Sequence, residues 1–368
     1  MMEEQVLPKL KEVSKAKHRI LEKYFPAWAQ ILGSRNLNLV YVDCFAGFGQ
    51  YAQGEEGSPL LIIRRAQEVV EKANGRFSIH AIFVEKDAQA ARALQSHILG
   101  DLPVHMNVHV LNEDAHDFVP KLLGALPNGM PAFFFVDPYG HPLTIPVMNQ
   151  ILSRPRTEIL LTLMWYAINM HLNNLQTEAA ITRMFGGEQW KSQSFMKMSG
   201  SEREKDFVQY FLSQLNAKYK LSFRVRFGQE DKVPAGERRT KYYLIHLSNH
   251  PKAVLLMKEV MWPLGDEMGT FDYSATLQQR LFSQTPTLEK LIDYLRQHCS
   301  GKTLTFEQLR EETWDSPFIE KHYREAVKKL EKCGEVRVVR CESKKSGVSG
   351  RDRISFLGGN RHGGLDEN

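Results

Sequence analysis

The sequence predicts an α/β protein with a Rossmann-like sheet, helices on both faces of that sheet, and a C-terminal winged-helix domain. Two observations predict the sheet. Apolar segments end at acidic residues or turns, as in LNLVYVD, SIHAIFVEKD and PAFFFVDPYG. Segments with helical periodicity separate them, and strands that alternate with helices build a parallel sheet. A third observation, three helical segments before two β-like segments, predicts the winged helix.

The composition is that of a globular protein. The chain has 368 residues, of which 42% are hydrophobic and 25% are charged. No apolar run reaches the roughly 20 residues of a membrane-spanning helix, and the N-terminus has no apolar signal core, so we expect a cytoplasmic protein. The four cysteines form no CxxC pair. We therefore predict neither a metal site nor a disulfide framework.

The elements follow in order along the chain. Residues 8–31 form an amphipathic helix within an N-terminal helical segment, 1–36, where Lys17 and His18 are interpreted as a solvated face. The predicted strands are 37–43, 78–87, 108–114, 131–140 and 157–164. Helices are predicted at 59–73, at 89–99 and around Asn169 and Asn173.

A hairpin predicted from the segments 221–228 and 238–249 completes the first domain. An antiparallel hairpin at the edge of a parallel sheet is how a methyltransferase-type Rossmann fold commonly closes. We place this domain at 37–284. The winged helix follows at 285–358, and 359–368 is a flexible tail.

The loop after the first strand predicts a cofactor site. In a Rossmann unit this turn lets the backbone approach a ligand, and an acid after the second strand binds ribose hydroxyls. The form DxFAGxG lacks the spacing of dinucleotide-binding loops and suits S-adenosylmethionine. The predicted cofactor residues are Asp43, Phe45, Ala46, Gly47, Gly49, Glu85 and Asp114. Ser58 is either a lid on the cofactor or an N-cap, and the alternative for the whole loop is a structural turn.

The loop after the central strand predicts the acceptor site. Ligands of open α/β sheets bind at the carboxyl ends of strands. In enzymes that methylate amines of bases, an acid at this position accepts from the exocyclic amine and an aromatic side chain stacks on the flipped base. Asp137 and Tyr139 take these roles here, and Asn169 assists. A capped turn with a packed aromatic residue is the alternative for Asp137 and Tyr139, and a capping role is the alternative for Asn169.

Two basic clusters are candidates for nucleic-acid binding. Between 321 and 361 there are twelve Lys or Arg against five Asp or Glu. Cations on the third helix and the wing are placed where such modules meet nucleic acid. A solvated face or a protein-binding surface is the alternative. The predicted nucleic-acid-binding residues are Arg238, Arg239 and Lys241 on the hairpin and Lys344, Lys345, Arg351 and Arg353 on the wing.

Several motifs in one order resemble the family of three-Cys-motif partner proteins. They include KHRILEKYFPAW, YVDCFAGFGQY, FFFVDPYG, LLTLMWYAINMHL and RRTKYYLIHLSNHPKAVLLMKEVMW. The resemblance implies a bacterial protein with a methyltransferase-like core. It also implies a partner whose three-cysteine motif ligates an iron-sulfur cluster.

Three functions remain open from the sequence. The first is an S-adenosylmethionine-dependent methyltransferase acting on a nucleic-acid base or a nucleotide-like acceptor. The second is a non-catalytic adaptor that binds cofactor or nucleic acid for the iron-sulfur partner. The third is a metal-dependent nuclease, because several acids lie at strand ends and carboxylates bind magnesium.

Overall fold

A computed structural model describes residues 10, 12–98, 102–227, 239–265, 272–273, 287–341 and 347–357. The described residues form two compact units. The first extends to Leu264 and includes a short strand at Asp272–Tyr273; the second contains the residues from 287 onward. The predicted boundary at 284 and the predicted tail lie outside the described residues, so both stay predictions.

The first unit is built on one sheet with the strand order β3-β2-β1-β4-β5-β7-β6-β8. Strands β1 to β5 pair in parallel, and β7 pairs antiparallel with both β5 and β6. The strands are β1 (Asn38–Asp43), β2 (Ser78–Val84), β3 (Met106–Leu111), β4 (Ala132–Val136), β5 (Thr157–Leu163), β6 (Tyr219–Arg226), β7 (Thr240–Ser248) and β8 (Asp272–Tyr273). The predicted Rossmann-like sheet with an antiparallel pair of strands beyond β5 is confirmed, but the short strand β8 pairs in parallel outside β6 and forms the edge.

Nine α-helices of the first unit lie within the described ranges. They are α1 (Glu12–Gly33), α2 (Ser58–Lys72), α3 (Ala88–His97), α4 (Ala115–Ala125), α5 (Ile145–Leu152), α6 (Trp165–His171), α7 (Glu178–Phe185), α8 (Gly200–Ser213) and α9 (Pro251–Met261). Helix α6 ends at His171, so the prediction that Asn173 belongs to this helix is wrong. In the described part of the chain, no helix combines the length and apolarity that crossing a membrane requires.

The central strands are mostly apolar because both of their faces are covered. Every residue of β4 and of β5 is buried. On one face α1 packs its aromatic side chains onto the sheet, with the ring of Trp28 5.7 Å from that of Phe133. Burial of such side chains contributes about 1.5–3 kcal/mol each. A rigid sheet therefore supports the loops at its edges.

The second unit is a winged helix. Its helices are α10 (Leu288–Cys299), α11 (Phe306–Glu312) and α12 (Glu320–Lys332), and its strands are β9 (Thr303–Thr305), β10 (Val336–Val339) and β11 (Arg353–Phe356). The strands form an antiparallel sheet in the order β10-β11-β9. The predicted two-stranded ribbon therefore has a third, short strand. In the wing between β10 and β11, buried Asp352 accepts from the backbone N–H groups of Cys341 and Ser349.

Candidate active site

The parallel strands bring the predicted acids to one edge of the sheet. Asp43 is the last residue of β1, Glu85 directly follows β2, and Asp137 directly follows β4. Because β2, β1 and β4 are neighbours and run in parallel, their carboxyl ends meet at this edge. This is where open α/β sheets bind their ligands.

Asp43 is fully buried under the loop that follows it. Its Oδ2 accepts from the hydroxyl of Ser58 at 2.7 Å, and its Oδ1 accepts from the N–H of Phe45 at 3.2 Å. Burial raises the pKa of Asp43 to about 7, although both hydrogen bonds oppose the shift. The carboxylate therefore holds the loop in shape, and the cofactor contact expected of Asp43 stays a prediction.

Gly47 and Glu85 join the first two strands at this edge. The N–H of Gly47 donates to Glu85 Oε2 at 2.8 Å, and the N–H of Asp87 donates to Glu85 Oε1, also at 2.8 Å. Gly47 has a φ of +64°, and a Cβ at this position would meet no described residue within 4 Å. Gly49 differs, because a Cβ there would lie 2.6 Å from the side chain of Leu94. Gly47 thus borders open space, whereas Gly49 is needed for packing.

The loop is closed at its base. The N–H of Gly57 donates to the carbonyl of Gly49 at 2.7 Å, and Arg64 forms an ion pair with Glu56 at 2.8 Å. Gly57 is the N-cap of α2, and Ser58 is its first residue. Ser58 therefore does not cap the helix, and its hydroxyl is used on Asp43. The predicted lid role of Ser58 stays a prediction.

The remaining cofactor residues flank this loop. Ala46 is buried and its N–H donates to the carbonyl of Val84, while Phe45 is half-buried. Asp114 is the N-cap of α4 and accepts from the N–H of His116 at 2.9 Å. Its other oxygen pairs with Lys86 at 2.8 Å. Asp114 is thus oriented beyond the end of β3, beside the loop that contains Glu85.

Asp137 is paired with a lysine from the N-terminal helix. Lys17 Nζ lies 2.5 Å from Asp137 Oδ2, and the two side chains are only 13% and 17% exposed. The interpretation of Lys17 as part of a solvated face is therefore wrong. Tyr139, two residues further on, is 85% exposed, so its ring is open to a stacking partner. The alternative of a packed aromatic residue does not apply to Tyr139.

His18 and Tyr51 lie beside this ion pair. His18 is buried, and its ring lies 5.8 Å from that of Tyr51. Burial, followed by the charge of Lys17, lowers the pKa of His18 to about 4, so the imidazole is neutral at pH 7. Burial raises the pKa of Tyr51, and the charge of Asp137 adds to the shift. The solvated-face interpretation is therefore wrong for His18 as well.

Helix α6 borders the site from the side of β5. The rings of His171 and of His141, four residues after Asp137, are 5.4 Å apart. Asn169 on this helix has a buried Oδ1 that accepts no hydrogen bond from any described residue. Asn173 accepts from Arg203 at 2.9 Å. The two asparagines therefore have different surroundings, and only Asn169 has an unused buried acceptor.

Only some of the predicted nucleic-acid-binding residues lie in the described part of the chain. Arg238, Lys344 and Lys345 lie outside the described residues. Arg239 is exposed next to β7, and the ammonium of Lys241 lies 5.5 Å from the ring centroid of Phe227. Arg351 and Arg353 are exposed on the winged helix. Their contact with nucleic acid stays a prediction.

Sequence reasoning missed Lys17, His18 and Arg203. A signal for the first was present, because Lys17, Leu21 and Tyr24 lie at helical spacing and the latter two are buried. No comparable signal marks Arg203, which lies in the polar run GSEREKD. Its burial depends on the packing of α8 rather than on local pattern.

The pKa of Asp43 has a testable consequence for stability. A carboxyl whose pKa is about 7 when folded and about 4 when unfolded favours the folded state below pH 4, and this stabilisation is lost as the pH rises to 7. We expect Asp43→Asn to gain stability relative to the parent over this range and to unfold at higher urea concentration at pH 8. The contribution of His18 to stability has the opposite pH dependence, but it is the same in both proteins and cancels in their difference. A stability difference that is the same at pH 5 and pH 8 would show that Asp43 does not titrate in this window.

Comparison with known proteins supports the winged-helix unit. Residues 270–343 match the family model of the GMT-like wHTH domain, a winged helix-turn-helix. None of the curated proteins matches the chain. Similar solved structures include human methyltransferase-like protein 13 in complex with SAH, at 14% identity over 77% of this chain and 99% of that one with a TM-score of 0.33.

Two further structures are similar at the same level. An rRNA methylase from Streptococcus thermophilus is 10% identical over 65% of this chain and 97% of that one, with a TM-score of 0.31. A protein from Porphyromonas gingivalis is 14% identical over 63% of this chain but only 41% of its own length, with a TM-score of 0.29. The assignment of the fold class rests on the strand order given above.

Proposed function

We propose that this chain is an S-adenosylmethionine-dependent methyltransferase whose acceptor is a nucleic-acid base or a related nucleotide. One observation carries the proposal. A glycine loop with open space over Gly47 and a loop with Asp137 and exposed Tyr139 follow two neighbouring parallel strands, β1 and β4. A cofactor and an acceptor bound at these two loops would be adjacent.

The residues present suit the cofactor. Gly47 leaves room where a side chain would stand, and Phe45 and Ala46 offer apolar contact beside it. Each carboxylate oxygen of Glu85 accepts one hydrogen bond from a backbone N–H group. Each oxygen has a second lone pair that would accept from a ribose hydroxyl. Asp43, Gly49, Ser58 and Asp114 complete the proposed set. When bound, S-adenosylmethionine supplies a methyl group already activated on a sulfonium, so the chain's own contribution is positioning.

The acceptor would be oriented by Asp137 and Tyr139. Lys17 holds Oδ2 of Asp137, which leaves Oδ1 to accept from an exocyclic amine. The exposed ring of Tyr139 would stack on the base, and the unused acceptor of Asn169 would assist from α6. His18, next to Lys17, is neutral. It therefore adds no positive charge that would repel the positive charge that develops on the acceptor amine during transfer.

The winged helix would hold the polymer. Lys321, Lys328 and Lys332 are exposed along one stripe of α12, and no ion pair joins them to another described residue. Lys329 on the same helix is instead paired with Glu289 at 2.7 Å. Unpaired cations on the third helix are available to phosphates, whereas Lys329 is already neutralised.

We expect Lys321→Gln/Lys328→Gln/Lys332→Gln to weaken binding of DNA or RNA and to lower the salt slope by about one unit for each phosphate that the helix no longer neutralises. The single variant Lys329→Gln is the matched control and should change the slope little. Fluorescence anisotropy at several salt concentrations measures both. Equal slopes for the parent and the triple variant would exclude α12 as the phosphate-binding surface and would favour a protein-binding role.

The resemblance to three-Cys-motif partner proteins supports a further proposal, an iron-sulfur protein as partner. The cysteines of this chain do not compete with that assignment: Cys44 and Cys299 are buried, and Cys333 and Cys341 are exposed. Within the described ranges, no three His, Cys, Asp or Glu side chains are grouped so that they could hold a metal ion. The partner's own cysteines would ligate the cluster.

A non-catalytic adaptor is the second candidate function. The ion pair between Lys17 and Asp137 favours it, because the carboxylate proposed to orient the acceptor is already partly used. Turnover separates the two functions. The isolated protein is incubated with S-adenosylmethionine labelled in its methyl group and with single-stranded DNA, duplex DNA or RNA. Label in the polymer supports the methyltransferase; cofactor binding without any transfer, with or without the iron-sulfur partner, supports the adaptor.

A further inference from the structure

The guanidinium of Arg203 is buried and has no counter-ion among the described residues. Arg203 lies in the first turn of α8 and is only 8% exposed. Its one hydrogen bond to another described side chain runs from Nη2 to Oδ1 of Asn173 at 2.9 Å, and its Nε is buried without a partner. Buried charges in proteins are normally paired with an opposite charge. The amide oxygen of Asn173 carries no formal charge, so it does not compensate the charge of the guanidinium.

This cation lies on the α6 side of the candidate active site. Helix α8 packs on α6, with the rings of Phe207 and Trp165 5.1 Å apart. Asn173 follows α6, and His171 at the end of α6 contacts His141 of the Asp137 loop. A chain of contacts therefore runs from the proposed acceptor site to Arg203.

We infer that Arg203 and Asn173 form a subsite for a phosphate group of the acceptor, which rests on the nucleotide-like acceptor proposed above. A guanidinium offers two N–H groups along its Nε edge, and this edge matches two oxygens of a phosphate. Asn173 is exposed, and its amide oxygen occupies part of that edge. An entering phosphate would replace this oxygen and bring a negative charge to the guanidinium.

The neighbouring acids do not neutralise Arg203. Glu204 accepts from the hydroxyls of Thr240 and Tyr243 on β7, and Glu202 is exposed. Adjacent residues of a helix point in different directions, so neither of these two carboxylates faces the guanidinium. Asp206, at the i+3 position, accepts from the hydroxyl of Ser194 at 2.6 Å and forms no ion pair with Arg203. No ion pair of Arg203 is present in the described part of the chain. The subsite therefore keeps its positive charge for a ligand.

Thermal unfolding of the full-length protein tests the inference. The melting temperature is measured in chloride, inorganic phosphate, adenosine monophosphate and a single-stranded oligonucleotide at equal ionic strength. We expect the phosphate-bearing ligands to raise the melting temperature of the parent by roughly 2 °C or more. Arg203→Met should lose this rise while melting at an equal or higher temperature in chloride, because it no longer buries an unpaired charge. Arg203→Lys should retain part of the rise.

Arg154→Met is the matched control, since the guanidinium of Arg154 donates to the carbonyls of Leu123, Leu126 and Pro127. It should melt at a lower temperature in chloride but keep the response to phosphate. An unchanged response in Arg203→Met, or no response of the parent to any phosphate ligand, overturns the subsite. Titration of the same samples with S-adenosylmethionine keeps the two proposals apart. If the protein does not bind the cofactor but Arg203→Met still loses the response to phosphate, the subsite is supported and methyl transfer is rejected.

Discussion

Replacing Asp137 with alanine should reduce methyl transfer by about 10²-fold or more while leaving the affinity for S-adenosylmethionine unchanged. A hydrogen bond to a charged group contributes about 1.5–3 kcal/mol, and orientation of the amine adds to this effect. Asp43 and Glu85, at the ends of β1 and β2, belong to the proposed cofactor side of this edge, and their hydrogen bonds do not involve Asp137. Single-turnover kinetics and calorimetry on the same variant separate transfer from binding.

The control for Asp137→Ala must account for Lys17. Removing the carboxylate leaves the ammonium of Lys17 without its partner. Because the side chain of Lys17 is only 13% exposed, this loss lowers the stability of the protein. The double variant Lys17→Met/Asp137→Ala should recover that stability without recovering transfer. If the double variant transfers methyl groups as fast as the parent, Asp137 serves only to neutralise Lys17 and does not orient the acceptor.

Strands β1 and β4 could be predicted because they are apolar along nearly their whole length and are bounded by an acidic residue, Asp43 at the end of β1 and Asp137 directly after β4. This pattern follows from burial on both faces, so it is visible without tertiary information. Helix α8 was not predicted. Its first turns, GSEREK, are polar, and its apolar residues Phe207, Val208 and Phe211 appear only towards its end. A short apolar stripe of this kind is too weak a signal by itself.

The acids of the site could be predicted from their positions after strands, but the contacts that define their roles could not. Asp43 is buried because Ser58 and Phe45 close over it, and the two partners are brought together by the folded loop. Lys17 meets Asp137 across 120 residues of sequence. Lysine side chains are usually solvated, and only the docking of α1 on the sheet overrides that tendency. Local pattern locates such residues, whereas tertiary packing decides their charge and partners.

The largest effect on cofactor binding is expected from Gly47→Trp. The space over Gly47 is open, since a Cβ at this residue would have no neighbour within 4 Å, and an indole would fill the volume assigned to the cofactor. The backbone hydrogen bond from Gly47 to Glu85 does not depend on the side chain, so the loop can keep its shape. We expect the affinity for S-adenosylmethionine to fall by about 10²-fold or more, which corresponds to about 2.7 kcal/mol.

Backbone strain must be separated from this steric effect. Gly47 has a φ of +64°, and a residue with a Cβ in this region costs about 1–2 kcal/mol of stability. Gly129 has a φ of +78° and also has open space around its Cβ position, but it precedes β4 and lies at the opposite edge of the sheet from Asp137. Gly129→Trp should therefore lose similar stability in urea denaturation and bind S-adenosylmethionine like the parent in calorimetry. If Gly47→Trp and Gly129→Trp bind the cofactor equally well, the loop after β1 does not hold it, and the proposed methyltransferase site is rejected together with the roles assigned to Glu85 and Asp114.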